Sequence, residues 1–169
     1  MSPARLVLIG MPASGKSSVA ALVADAWAVP MLDTDLIVAE QLGGTVTELL
    51  ADPASENAFR EAEVNVCLDA LAQEAVVALG SGALASDAVR EALAGLSVVW
   101  LQTSVVTATR RLGLARFGMD VLAAIRTTLD AQLAERAVWY SQAATAVMDT
   151  DRIGVHAIAD HILASGEGS

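Results

Sequence analysis

The stretch Gly10-Met-Pro-Ala-Ser-Gly15-Lys16-Ser17 constrains this chain more than any other. It fits G-x-x-x-x-G-K-[ST] at every position, after the apolar run Leu6–Ile9 and before a helical pattern over Ser17–Trp27. Backbone N–H groups in such a loop curl around phosphate oxygens, and the helix N-terminus adds a partial positive charge. Gly10 and Gly15 permit backbone conformations and close approaches that a Cβ would block. Lys16 is the only lysine in the chain. Its compact charge on a flexible stem suits a tight loop better than an arginine fork. The nucleotide-binding candidates are therefore Met11, Pro12, Ala13, Ser14, Gly15, Lys16, Ser17 and Ser18. Lys16 is placed to reach the β- and γ-phosphates, and the Ser17 hydroxyl to bind Mg²⁺.

The rest of the chain has to build the strand and helix that this loop joins. Its 169 residues suffice for one domain with a real core. A 54% hydrophobic, 18% charged composition argues against disorder. Short apolar runs alternate with longer amphipathic stretches. Strands are predicted at Leu6–Ile9, Met31-Leu32 (ending at Asp33), Ala75–Leu79, Ser97–Leu101 and Thr145–Met148. Further helices are predicted at Ala58–Ala72, Ser86–Leu93, Val106–Leu112, Val121–Ala144 (with room for a break near its start) and Gly154–Ala164. Apolar strands alternating with helices mean an α/β fold with a parallel sheet covered on both faces. Ligands of such sheets bind beyond the carboxyl ends of the strands. Gly10, then Asp33 and Asp35, then Gly80-Ser81-Gly82 follow the first three strands.

The formal net charge of −10 makes duplex nucleic acid a poor partner, though a few focused arginines can still hold a small anion. No apolar run has the length of a membrane span, and no signal-type leader is apparent, so the expected location is cytoplasmic. Cys67 is the one cysteine, which excludes an internal disulfide and reads as a buried structural thiol. His156 and His161 read as structural or surface residues.

A second cluster concerns the phosphate acceptor. Asp33 and Asp35 lie two apart in LDTDL, and in an extended segment both point the same way. One could serve Mg²⁺ through water and the other an acceptor hydroxyl. The competing structural reading is a strand-end turn with a helix N-cap. Arg60 and Arg136 could each be a helix-surface residue, Arg60 pairing with Glu63.

These motifs together resemble the shikimate kinases. The phosphate loop, LDTD, Glu56-x-x-Phe59-Arg60-x-x-Glu63, ALGSGAL, and Glu135-Arg136 before Tyr140 occur in that family's order across residues 5–164. The resemblance implies a three-layer α/β/α fold of P-loop kinase type, like the nucleoside monophosphate kinases, with a five-stranded parallel sheet. It implies one domain over 1–169 with a mobile lid around 112–121, acting as a monomer. It implies transfer of the ATP γ-phosphate to the 3-hydroxyl of shikimate, with Mg²⁺. By position, Asp33 resembles the water-mediated Mg²⁺ partner beside Ser17. Lys16, Asp35 and Arg116 resemble the catalytic set, Asp35 binding the acceptor hydroxyls. Arg60 and Arg136 resemble the pair that grips the shikimate carboxylate, and Gly80, Ser81 and Gly82 the turn whose amides contact the acceptor. Arg111 (or Arg110) resembles the residue packed on adenine.

Three places depart from that pattern. The family's Gly-Gly-Gly turn is Gly80-Ser81-Gly82, and Ser81 would be strained if it needed φ > 0. The lid's Arg-Pro-Leu-Leu is replaced by Arg110-Arg111-Leu-Gly-Leu-Ala-Arg116-Phe-Gly-Met, with Arg116 the best match to the lid arginine. Asp151–His156 lacks the family's proline-containing adenine loop. These departures leave two alternatives: a kinase for another small hydroxylated acceptor, or a nucleotide-binding pseudokinase with a regulatory role.

Overall fold

The computed structural model describes residues 2–166; residues 1 and 167–169, the ends of the predicted domain, lie outside the described residues. Each predicted apolar run is a strand: β1 (Leu6–Ile9), β2 (Met31–Asp33), β3 (Val76–Ala78), β4 (Val98–Gln102) and β5 (Ala146–Asp149). They pair in parallel in the order β2-β3-β1-β4-β5. The loop motif therefore leaves the central strand.

The helices are α1 (Lys16–Trp27), α2 (Thr34–Leu42), α3 (Val46–Ala51), α4 (Pro53–Leu71), α5 (Asp87–Ala92), α6 (Val105–Arg111), α7 (Met119–Ala143) and α8 (Val155–Ser165). Alternation along the strands sorts their side chains into two cores. Val7, Ile9, Val77, Leu79, Val98 and Trp100 face one layer, with Cys67 and Leu71 of α4 and Tyr140 of α7. Leu6, Leu8, Val76, Val99 and Leu101 face the other, with Val19 and Val23 of α1 and Ile158 and Ile162 of α8. This is the expected three-layer α/β/α arrangement. Each fully buried Leu or Ile contributes roughly 1.5–3 kcal/mol, which anchors the strand ends that carry the site.

The structure differs from the sequence expectation in three places. Residues 34–51 hold α2 and α3, two helices beyond those expected. Asp33 caps α2 by accepting from Leu36 N–H, and Thr45 with Glu48 forms a reciprocal capping box on α3. The helix predicted to start at Ala58 starts at Pro53, because Asp52 caps it and Pro53 fits its first turn. Helix α7 is continuous from Met119, without a break near its start. Between α6 and α7, residues 112–118 form a loop with one 3₁₀ turn, Leu114–Arg116. No helix among the described residues is long and apolar enough to cross a membrane.

Candidate active site

The phosphate loop is held by its glycines. Gly10 has φ 147°, and a Cβ there would stand 2.5 Å from the Leu101 carbonyl oxygen of β4. Gly15 has φ 95° and precedes the first turn of α1. Ala13 also adopts a left-handed φ of 61°, unusual for a residue with a Cβ. The loop encloses a cavity of about 200 Å³ lined by Ala13, Ser14, Gly15, Lys16, Ser17 and Ser18. Lys16 Nζ donates to Gly10 O at 2.9 Å and to Met11 O at 3.0 Å. Among the described residues it forms no ion pair within 4 Å, and burial lowers its pKa to about 8 against the opposing charges of Asp35 and Asp33. A half-buried ammonium held by carbonyls is one that an anion would stabilise.

Ser17 Oγ donates to Asp33 Oδ2 at 2.5 Å. Asp33 is thus both the α2 cap and the partner of Ser17; the two readings of this aspartate are compatible. Two hard oxygen donors facing one another at the loop's end fit Mg²⁺, which takes one or two protein ligands and completes its shell with phosphate and water. No cluster of three or more His, Cys, Asp or Glu able to hold a metal occurs among the described residues.

The acceptor candidates converge on the turn after β3. Thr34 Oγ1 accepts from Gly80 N–H at 2.9 Å, tying that turn to the start of α2. Asp35, in the first turn of α2, lies over Gly80: a Cβ on Gly80 would stand 2.2 Å from Asp35 Oδ1 and 2.7 Å from Glu63 Oε1. Burial, then the nearby Glu63 carboxylate, raises the Asp35 pKa to about 6, while Lys16 opposes the shift. Arg60 lies over Gly82, where a Cβ would meet its Nη1 at 2.5 Å. Its Nη1 pairs with Glu63 Oε2 at 2.9 Å, so the helix-surface pairing exists and still leaves Arg60 against the turn. Arg136 Nη1 donates to Ser81 Oγ at 3.2 Å. Ser81 is free of the strain a positive φ would bring, since the non-glycine residues with positive φ are Ala13 and Ala28.

The remaining candidates sit elsewhere. Arg111 donates to Ala13 O at 3.1 Å, Thr150 Oγ1 at 3.1 Å and Thr150 O at 2.6 Å, bridging the phosphate loop and the end of β5. Arg116 is exposed, with its guanidinium 5.2 Å from the Phe117 ring. Arg110, His156 and His161 are exposed, and Cys67 is buried.

Sequence reasoning missed the site environment of Glu63, Thr34, Tyr140 and Thr150. Glu63 is almost fully buried, with Oε1 lacking a hydrogen-bond partner among the described residues. Its i,i+3 spacing from Arg60 suggests only a solvated pair. A carboxylate three residues from an arginine on an otherwise apolar helix face is the signal that could have found it.

Comparison with known proteins finds shikimate kinases by sequence and by fold. The family model described as Shikimate kinase matches residues 12–166. A shikimate kinase of Mycobacterium tuberculosis is 38% identical, the match covering 96% of this chain and 93% of the relative. One from Thermobifida fusca is 38% identical over 85% of this chain and 84% of its own. A solved shikimate kinase from Acinetobacter baumannii, in complex with shikimate, is 25% identical with a TM-score of 0.81, covering 95% of this chain and 90% of that one.

Proposed function

The chain belongs to the shikimate kinase family, and from that premise we propose that it transfers the γ-phosphoryl group of ATP to the 3-hydroxyl of shikimate. One observation carries the reading: Asp35, Arg60 and Arg136 meet on the 80–82 turn, and the charges of both Asp35 and Arg136 act on Lys16 of the phosphate loop. These contacts support a carboxylate-gripping pair and a half-buried base working beside the phosphate cradle.

In this reading Arg60 and Arg136 bind the acceptor carboxylate, where fork-to-carboxylate geometry fixes orientation. The amides of Ser81 and Gly82 line the ring, and Gly80, its own N–H held by Thr34, leaves room for it. Asp35 receives the 3-hydroxyl proton as the oxygen bonds to the γ-phosphorus and the bond to the β,γ-bridging oxygen breaks, releasing ADP. A base with a pKa of about 6 is well matched to neutral pH. Lys16 and the loop amides of Ala13, Gly15, Lys16, Ser17 and Ser18 hold the phosphates and stabilise charge moving onto ADP, while Met11, Pro12 and Ser14 shape the loop. Ser17 and Asp33 would hold Mg²⁺, which when bound neutralises phosphate charge.

The mobile lid at 112–121 belongs to the same proposal. Arg116 sits on its 3₁₀ turn, and closure would bring that guanidinium to the phosphoryl group and exclude water. Arg111 offers its flat face to adenine while its edge bonds hold Ala13 and Thr150. We take the protein to be a single-domain, cytoplasmic monomer acting on a small molecule. The test is ADP release on adding shikimate, alongside a screen of other small hydroxy acids. A different acceptor turned over far faster, or ATP binding without turnover of any acceptor, contradicts the proposal.

A further inference from the structure

The 80–82 turn carries a side chain, that of Ser81, between two glycines. Helix α7 binds this residue twice. Tyr140 OH donates to Ser81 O at 2.6 Å, and Arg136 Nη1 donates to Ser81 Oγ at 3.2 Å. Tyr140 is fully buried, its ring 5.6 Å from that of Trp100, so the first bond fixes the turn to the core. The second fixes a guanidinium to the turn. On the next residue, Gly82, the Arg60 guanidinium fills the space a Cβ would need. Two guanidinium groups therefore lie against successive residues of one turn.

Their electrostatic situations differ. Arg60 pairs with Glu63 at 2.9 Å and with Glu56 at 3.8 Å. Arg136 has no carboxylate within 4 Å among the described residues. Its hydrogen bond to Ser81 orients it without neutralising it, because a hydroxyl accepts a hydrogen bond and carries no charge. Beyond Ser81 and the neutral Tyr140 hydroxyl beside it, the guanidinium keeps N–H donors enough for bidentate capture of a carboxylate. An arginine already held in place loses less rotamer freedom on binding.

We propose that Ser81 is a positioning residue for acceptor recognition: its hydroxyl holds the uncompensated Arg136 guanidinium on the turn, beside Arg60, ready for an acceptor carboxylate. The inference rests on the functional reading above and deepens it. It makes the side chain at 81 a determinant of preference for carboxylate over neutral acceptors.

The test is steady-state kinetics of the full chain, Ser81→Ala and Ser81→Gly, using shikimate and its uncharged methyl ester. Removing a hydrogen bond to a charged group should raise the KM for shikimate about 5-fold, with the KM values for ester and ATP held within about 2-fold. In an Arg136→Ala background the same substitutions should change nothing further. A merely structural role would move all three KM values together. Two results overturn the inference while leaving the kinase reading intact: an unchanged shikimate KM in both variants, or an equal rise in the Arg136→Ala background. Shikimate inert with the wild-type protein overturns both. Thermal melts of each variant verify folding, and Ser81→Gly decides the question should Ser81→Ala not fold.

Discussion

Ser17 Oγ and Asp33 Oδ2 stand 2.5 Å apart, joining the end of the phosphate loop to the cap of α2 across the carboxyl edge of the sheet. Asp33→Asn separates its two functions. Asparagine caps a helix about as well as aspartate, so the melting temperature should stay within about 2 °C. The charge facing Mg²⁺ is gone, so the concentration of Mg²⁺ giving half-maximal rate should rise roughly 10-fold while the KM for shikimate holds. Magnesium titrations of both proteins measure this.

Asp35 should trade stability for activity. Its folded pKa, about 6, lies above the unfolded value near 3.8. Its contribution to stability is therefore fully present below about pH 4 and is lost as pH rises through about 6. Above that, the ionised folded carboxylate costs on the order of 2 kcal/mol. Asp35→Asn should raise the melting temperature at pH 8, do so less at pH 5, and reduce kcat by about 100-fold or more. Melts at the two pH values and one rate measurement decide it.

The pH profile of kcat/KM for ATP should be bell-shaped in the free enzyme. The lower limb, near pH 6, reports Asp35, and the upper limb, near pH 8, reports Lys16. Bound phosphate favours the ammonium form, so the upper limb of kcat should lie at higher pH than that of kcat/KM. A flat kcat/KM profile between about pH 5 and pH 9 would contradict the environments assigned to both groups.

Gly80→Ala should disable the acceptor site with little effect on the fold. The φ of Gly80 is outside the left-handed region, so the backbone tolerates a Cβ. The methyl group, however, would stand 2.2 Å from Asp35 Oδ1 and displace it. We expect a loss of about 100-fold or more in kcat/KM for shikimate, with ATP affinity within about 2-fold. Calorimetric ATP binding beside the kinetics separates the two.

What is legible in the sequence follows from how local each feature is. The phosphate loop is contiguous, so its residues and their chemistry read directly from Gly10 to Ser18. The strands are fully buried runs and announce themselves as apolar stretches such as Leu6–Ile9 and Val98–Leu101. Helices α2 and α3 escape a reading by period because their apolar residues lack a clean one and Gly43-Gly44 separates them. Their capping residues, Asp33 and the Thr45/Glu48 box, are the signal that marks them. The acceptor site is legible only through resemblance, because its contacts are long-range. Arg136 and Ser81 are 55 residues apart, and Arg111 and Ala13 are 98 apart. No periodicity encodes such pairs. The burial of Glu63 is of the same kind: the turn after β3 closes over a side chain whose local pattern suggests solvent.

The central claim is that the arginine pair, Asp35 and the phosphate loop form one working site for shikimate. The most direct measurement is ADP release by the purified protein with ATP and Mg²⁺, with and without shikimate, repeated with Lys16→Ala and Arg136→Ala. We expect shikimate-dependent release from the wild type, none detectable from Lys16→Ala, and a KM for shikimate raised about 10-fold or more in Arg136→Ala. Release that is the same with and without shikimate, from a protein that binds ATP, would contradict the claim.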